Sequence, residues 1–328
     1  HRYSLDNDKF KPYTFDVNYD FFTPRVGINL IGPYNLRFFA NVSYAKREPR
    51  LKDIYDAESP YSTPNFRVID TVNKIYQDPL VKPEEMLDYE FGINYKSPAT
   101  NASLNFYWMD FKNEIVSNGQ LDNVGQPING NAGRSVHKGI EFEYSFIPFY
   151  LYKGWNNFSF DYNLTLSDNY FKEYTEILGR DSAGNVIYGN DYSGNQILLN
   201  PSVMGNLSLN YSDKGVFNAY ITMQHIGKQY LDNSENERKN PAAQTTPGYV
   251  NKFIEPYVVF NGGISYNLMS IISDKSLKKS IRSFDIEIKV NNIFDKLYET
   301  TGGVDYTGAP NWIPAATRNF YANLKIGF

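Results

Sequence analysis

The chain ends in Arg318-Asn-Phe-Tyr-Ala-Asn-Leu-Lys-Ile-Gly-Phe328, and the two-residue period of this stretch decides how the rest is read. Side chains alternate across an extended strand. Phe320, Ala322, Leu324, Ile326 and Phe328 therefore share one face, and Asn319, Tyr321, Asn323, Lys325 and Gly327 share the other. The edge strand of a soluble sheet alternates in this way. So does a strand with lipid on one side and water on the other. The rest of the chain separates the two cases.

Of the 328 residues, 28 are Tyr, 23 Phe and 3 Trp, so aromatics reach 16% and strand-favouring residues dominate. Mean hydropathy is −0.49. No apolar run approaches the roughly 18 residues a membrane helix needs. A strand apolar on one face only is compatible with both facts. The formal net charge is −4, and the Lys and Arg residues are dispersed, with no basic stripe for nucleic acid. Absence of cysteine removes disulfides and thiolate metal sites. The chain begins at His1 with neither Met nor a signal segment, so a processed or truncated product is expected.

Ten further segments alternate like the last one: 25–31, 36–44, 87–96, 102–110, 139–146, 157–166, 203–211, 216–225, 256–268 and 281–291. Short turns between them alternate with long polar segments, about 45–86, 111–137, 167–200, 227–255 and 292–317, while 1–24 reads as a leading loop. All long loops then fall at one end of the sheet. The apolar faces, such as Leu87, Tyr89, Phe91, Ile93 and Tyr95, carry no charge, whereas the opposite faces hold Arg37, Glu90, Glu141, Glu143, Asp161, Glu287 and Lys325 among others. A charge facing lipid at mid-depth costs about 2–4 kcal/mol, so this sorting suits a wet interior and a lipid exterior. Aromatics also gather at one level. Tyr95, Phe146, Tyr211, Tyr266 and Phe328 end strands at the short turns, and Phe158, Phe217 and Phe284 begin strands there. Rings at a common level form a membrane-interface girdle.

The expected fold is all-β, a transmembrane antiparallel up-and-down barrel lying in the outer membrane of a Gram-negative bacterium. Short turns and the C-terminus face the periplasm and the long loops lie outside. Eleven strands leave two edges of unpaired backbone groups, which lipid cannot solvate. The whole of 1–328 is therefore expected to be the C-terminal part of one larger barrel domain, completed by N-terminal strands elsewhere.

Several local patterns resemble the barrel of TonB-dependent outer-membrane receptors: Phe22-Thr-Pro-Arg-Val-Gly27, Arg47-Glu-Pro49 followed by Leu51 and Tyr55, and Leu80-Val-Lys-Pro-Glu84 before Tyr89-Glu-Phe-Gly92. Asn131-Ala-Gly133 with Gly139-Ile-Glu141, and Val290-Asn-Asn-Ile-Phe-Asp-Lys-Leu-Tyr298 before the terminal strand, complete the series. The resemblance implies a 22-stranded barrel around a plug, with TonB as the energy source and the plug outside these residues. It implies uptake of a scarce bulky nutrient, a metal chelate of siderophore, haem or cobalamin type. A SusC-type importer of glycans or oligopeptides and a passive outer-membrane porin are the alternatives. Implied partners are outer-membrane lipid, the remaining barrel strands and plug, TonB, the barrel assembly machinery and the small-molecule or chelate ligand.

No enzymatic constellation stands out. His1, His137 and His225 lack metal-ligand spacing, Glu84, Glu85, Asp88 and Glu90 read as loop and luminal carboxylates, and no cofactor motif is present. Asp181-Ser-Ala-Gly-Asn185 and Asp191-Tyr-Ser-Gly-Asn195 read as turns before they read as Ca²⁺ loops. Ligand contacts are expected in the outer loops, from Tyr61, Arg67, Arg180, Tyr188, Tyr192, Tyr306 and Trp312. Phe320, Leu324, Ile326 and Phe328 are expected to form the signal read during barrel assembly.

Overall fold

The computed structural model describes the chain apart from residues 7–11, 58–62, 122–126, 149, 152–156, 181–185, 214, 234–241, 243–244, 246, 275–279 and 306–307. Side chains at 118–121, 127–129, 176–180 and 186 also lie outside the description. Eleven strands form one antiparallel path: β1 (Arg25–Ile31), β2 (Leu36–Arg47), β3 (Glu84–Lys96), β4 (Thr100–Leu121), β5 (Pro127–Phe146), β6 (Phe158–Glu173), β7 (Val203–Asp213), β8 (Phe217–Ile226), β9 (Tyr257–Asn267), β10 (Ser283–Asn291) and β11 (Asn319–Gly327). Along this path each pairs with its neighbours in sequence, so β1 and β11 are the edges of the path. All seven β1 residues are exposed. A small hairpin, Glu299–Val304 with Pro310–Pro314, joins the sheet through one parallel bridge from Val304 to Gln120.

The register confirms the two faces. Ala40, Phe91, Phe106, Ile140 and Leu166 lie side by side across β2 to β6 as one charge-free row. Among the described residues nothing covers this face: Phe91 is 45% exposed, Leu209 50%, Ile264 48% and Phe320 72%. A soluble sandwich would bury such a face under a second sheet. On the opposite face Asn41 donates to Glu90, Asn105 to Glu141 and Asn210 to Asp161, at 3.2, 3.1 and 2.7 Å.

Three glycines on this inner face sit directly opposite an aromatic residue of the neighbouring strand: Phe39 and Gly92, Tyr107 and Gly139, Tyr220 and Gly263. Each ring lies over its glycine. A Cβ on Gly92 would collide with the edge of the Phe39 ring, and one on Gly139 would stand 2.5 Å from the Leu166 carbonyl oxygen and 2.6 Å from the Tyr107 hydroxyl. Glycine is needed here for close approach.

Buried apolar residues are found mainly beyond the sheet, in three clusters among the loops. This revises the expected layout. The strands run further than their alternation suggested: β4 and β5 continue to Leu121 and from Pro127, taking up most of the supposed loop 111–137. Residues 1–24 are not all loop either, since Arg2–Leu5 pairs with Phe15–Asn18. Phe15 there packs with Ile54, Tyr55, Phe66 and Tyr76. Segments this short show no readable period, and distant partners stabilise them.

Candidate functional site

The long-loop end is a set of segments pinned to one another by side-chain amides. Asn131 at the start of β5 reaches back to the β2–β3 connection. Its Oδ1 accepts from the Lys82 amide at 2.8 Å, and its Nδ2 donates to the carbonyls of Lys82 (3.0 Å) and Asn113 (2.8 Å). Glu84 works beside it. Its Oε2 accepts from Arg47 Nη2 at 2.9 Å and from the Ile115 amide at 3.0 Å. Three of the sequence patterns, around Arg47, Glu84 and Asn131, thus meet where β2, β3 and the β4–β5 hairpin leave the sheet.

A second set of pins lies around Asn233, which is fully buried. It accepts from the Leu198 amide at 3.0 Å, donates to the Ser117 carbonyl at 2.7 Å, and offers its own carbonyl to Asn195 Nδ2 at 2.7 Å. Buried backbone groups need partners, and here one residue joins two loops and the far end of β4. Between the two sets His137 bridges β4 and β6. Its Nε2 lies 3.0 Å from Glu114 and its Nδ1 lies 3.0 Å from Asn169 Oδ1, while Ser135 also donates to Glu114. The motif at 290–298 builds a turn. Asn292, at a φ of 52°, bonds the amide and carbonyl of Lys296 at 2.8 Å each, and Asp295 accepts from the Arg318 amide at 2.7 Å.

The residues expected to meet a ligand fall differently. Tyr188 is 64% exposed on the hairpin Thr175–Arg180 with Val186–Asp191 and is available for contact. Arg67 is exposed but paired with Asp78 across the hairpin Phe66–Asp70 with Ile75–Pro79. Tyr192 is 6% exposed and packs against Tyr174, with ring centres 5.3 Å apart and planes tilted by 56°, so it packs loop against loop. Trp312 is 37% exposed, and its Nε1 donates to the Phe253 carbonyl at 3.1 Å, tying the last loop to the β8–β9 loop. Tyr61 and Tyr306 lie outside the described residues, as does the side chain of Arg180. The second of the two oxygen-rich turns is a turn: Asp191 accepts from the Ser193 amide at 2.9 Å. No cluster of metal-ligating side chains occurs among the described residues. Sequence reading placed Asn195 in a turn and did not single out Asn233; it missed the bracing role of both, because their partners are far away in the chain.

The chain was compared with known proteins. A family model described as TonB dependent receptor-like, beta-barrel matches residues 1–293. No curated protein matches. Among solved structures, the ferric yersiniabactin uptake receptor FyuA from Yersinia pestis is similar, with a TM-score of 0.62 at 14% identity over 96% of this chain and 39% of that one. The ferric citrate transporter FecA gives 0.59 at 15% identity, covering 94% and 38% of the two chains. The siderophore receptor PiuA from Acinetobacter baumannii gives 0.58 at 18%, covering 95% and 36%. At such identities the likeness speaks for the fold. The chain spans less than two fifths of the length of these receptors. With an eleven-strand meander, a charge-free outer face and a family match over most of its length, the chain belongs to the β-barrel of the TonB-dependent receptor family of outer-membrane proteins.

Proposed function

We propose that the chain forms part of the wall of a TonB-energised outer-membrane receptor that takes up a metal chelate of the siderophore class. The observation that carries this reading is the sheet itself: one face apolar and uncovered, the other lined with hydrogen-bonded Asn and carboxylates, and its edges at β1 and β11 exposed. Strands with unpaired edges do not persist in lipid, so further strands pair with β1 and β11 and close the barrel. The likeness to FyuA, FecA and PiuA, which are iron or siderophore receptors or transporters, supports the chelate class. In this reading the long loops face outward and capture the ligand, and Phe328 lies at the periplasmic level.

Uptake of radioactive iron as a panel of ferric siderophores, compared between cells with and without the receptor, tests the proposal. Loss of uptake of at least one chelate, mirrored by loss in cells lacking TonB, is expected. Unchanged iron uptake with lost growth on an oligosaccharide or peptide would transfer the reading to a glycan or peptide importer. Conductance in a planar bilayer without TonB would make it a porin.

A further inference from the structure

The wet face of the sheet is not uniform. Between β6 and β9 its ladder positions carry mainly Asn, Gln, Ser and Thr, and Asp161 is the sole charge among them. That carboxylate is itself engaged, accepting from Ser145 at 2.6 Å and from Asn210 at 2.7 Å. Asn163, Asn206 and Gln224 stand side by side on β6, β7 and β8, and Asn206 donates to Asn163 at 3.1 Å. Nearer the short turns, Ser212 donates to Asn218 at 2.6 Å and Asn218 to Ser265 at 3.2 Å. Charge returns on both flanks: Glu143 lies directly opposite Asn163, and Glu287 directly opposite Ser265.

A side-chain amide and a hydroxyl each both donate and accept. Such a wall exchanges hydrogen bonds with a neutral polar solute in either sense, and it offers an anion no cation. The loop end agrees. The long segments 1–24, 45–86, 111–137, 167–200, 227–255 and 292–317 together hold more Asp and Glu than Lys and Arg. Arg47 and Arg50 are already paired with Glu84 and Asp53, and Arg67 and Arg134 with Asp78 and Asp110. An excess of acid repels an anionic ligand on approach.

We infer that the inner surface of β6 to β9 is the wall along which the ligand passes, and that this ligand is an electroneutral, hydrogen-bonding chelate. The inference rests on the proposed uptake of a ferric chelate and narrows its class. Three hydroxamates on ferric iron give a neutral complex, whereas three catecholates give a trianion. The wall and the loops suit the first.

The test follows radioactive iron into cells carrying the full receptor, supplied as a ferric trihydroxamate or as a ferric tricatecholate. Uptake of the neutral complex should exceed that of the trianion by about tenfold or more, because like charges exclude the wrong partner. The chain has no cysteine, so an introduced thiol reports its own position. Asn206→Cys lies on the wall, and Ser103→Cys lies in the same row on β4, beyond Glu143. Alkylation with a bulky neutral maleimide should cut uptake of the neutral complex about tenfold or more at 206 and less than about twofold at 103, as a narrowed passage demands. Mass tagging confirms alkylation, and heat-modifiable gel mobility confirms insertion. Asn163→Cys is read in the same assay if Asn206→Cys does not insert. Equal losses at both positions, or no loss at a fully alkylated 206, overturn the wall. A thiol at 206 that stays unalkylated while the one at 103 reacts overturns it too. Equal or greater uptake of the trianion overturns the electroneutral class while the proposed function stands. Uptake of neither complex rejects the proposed function, and the inference falls with it.

Discussion

Asn195 donates through Nδ2 to the carbonyl of Asn233 at 2.7 Å, joining the β6–β7 and β8–β9 loops across 38 residues of chain. Both residues are buried, at 2% and 0% exposure. This bond and the two made by the Asn233 side chain tie these two loops and the far end of β4 into one body at the long-loop end.

Replacing Asn233 by Ala removes its bonds to the Leu198 amide and the Ser117 carbonyl. A hydrogen bond of this kind contributes about 0.5–1.5 kcal/mol. Amide hydrogen exchange should therefore accelerate by roughly tenfold or more around 117 and 195–199, with the β-strands unaffected. Unchanged protection at those amides would show that Asn233 carries no part of the bracing.

The glycine–aromatic pairs differ in what an added methyl would strike. At Gly92 the Phe39 ring alone supplies the three nearest atoms, all side chain, whereas at Gly139 the Leu166 backbone carbonyl is the nearest, at 2.5 Å. Overpacking of this kind costs about 1–3 kcal/mol. Gly92→Ala should lower the melting temperature and be rescued by Phe39→Ala. Gly139→Ala should lower it without rescue by Tyr107→Ala, because a backbone atom cannot be trimmed away. Thermal unfolding in detergent of the four variants completes the comparison.

Tyr19, in the cluster at the start of the chain, has a buried hydroxyl with no hydrogen-bond partner among the described residues. Burial, aided by nearby Tyr3 and Glu48, pushes its ionisation from 10.0 to about 12. The folded state thus holds this proton more tightly than the unfolded state. Its contribution is complete below pH 10 and is lost as pH rises toward about 12. Tyr19→Phe removes the unpaired hydroxyl and should stabilise the N-terminal hairpin by about 1 kcal/mol. It should also delete one late-titrating tyrosine from the ultraviolet titration. A variant that destabilises the hairpin would mean the hydroxyl is paired.

Phe328 is 79% exposed on the outward face, in line with Phe320, Leu324 and Ile326. If these residues serve assembly, Phe328→Ala should cut the amount of inserted receptor roughly several-fold while leaving chelate affinity of the inserted fraction intact. Heat-modifiable gel mobility measures the first and ligand titration the second. Normal insertion would remove Phe328 from that role.

The strands were legible because alternation is local. Period two, charge-free on one side, is written residue by residue in Leu87–Lys96 or Phe320–Phe328, and a charge out of place there would cost several kcal/mol in lipid. The terminal motifs were legible for the same reason: Asn292 and Asp295 act within a turn of a few residues and its flanks. The loop body was not. Asn233 and Ser117 are 116 residues apart, and only chain closure through the intervening strands brings them together. Tyr192 looked like a ligand contact because an aromatic in a polar loop reads as exposed, until Phe171, Tyr174 and Ile197 pack around it. The same holds for the row of Asn163, Asn206 and Gln224, separated along the chain and joined by register alone. By itself the sequence determined which face of each strand meets lipid. Only the tertiary structure decided which side chains stand beside one another, because cross-strand neighbours depend on loop lengths and register that no local pattern encodes.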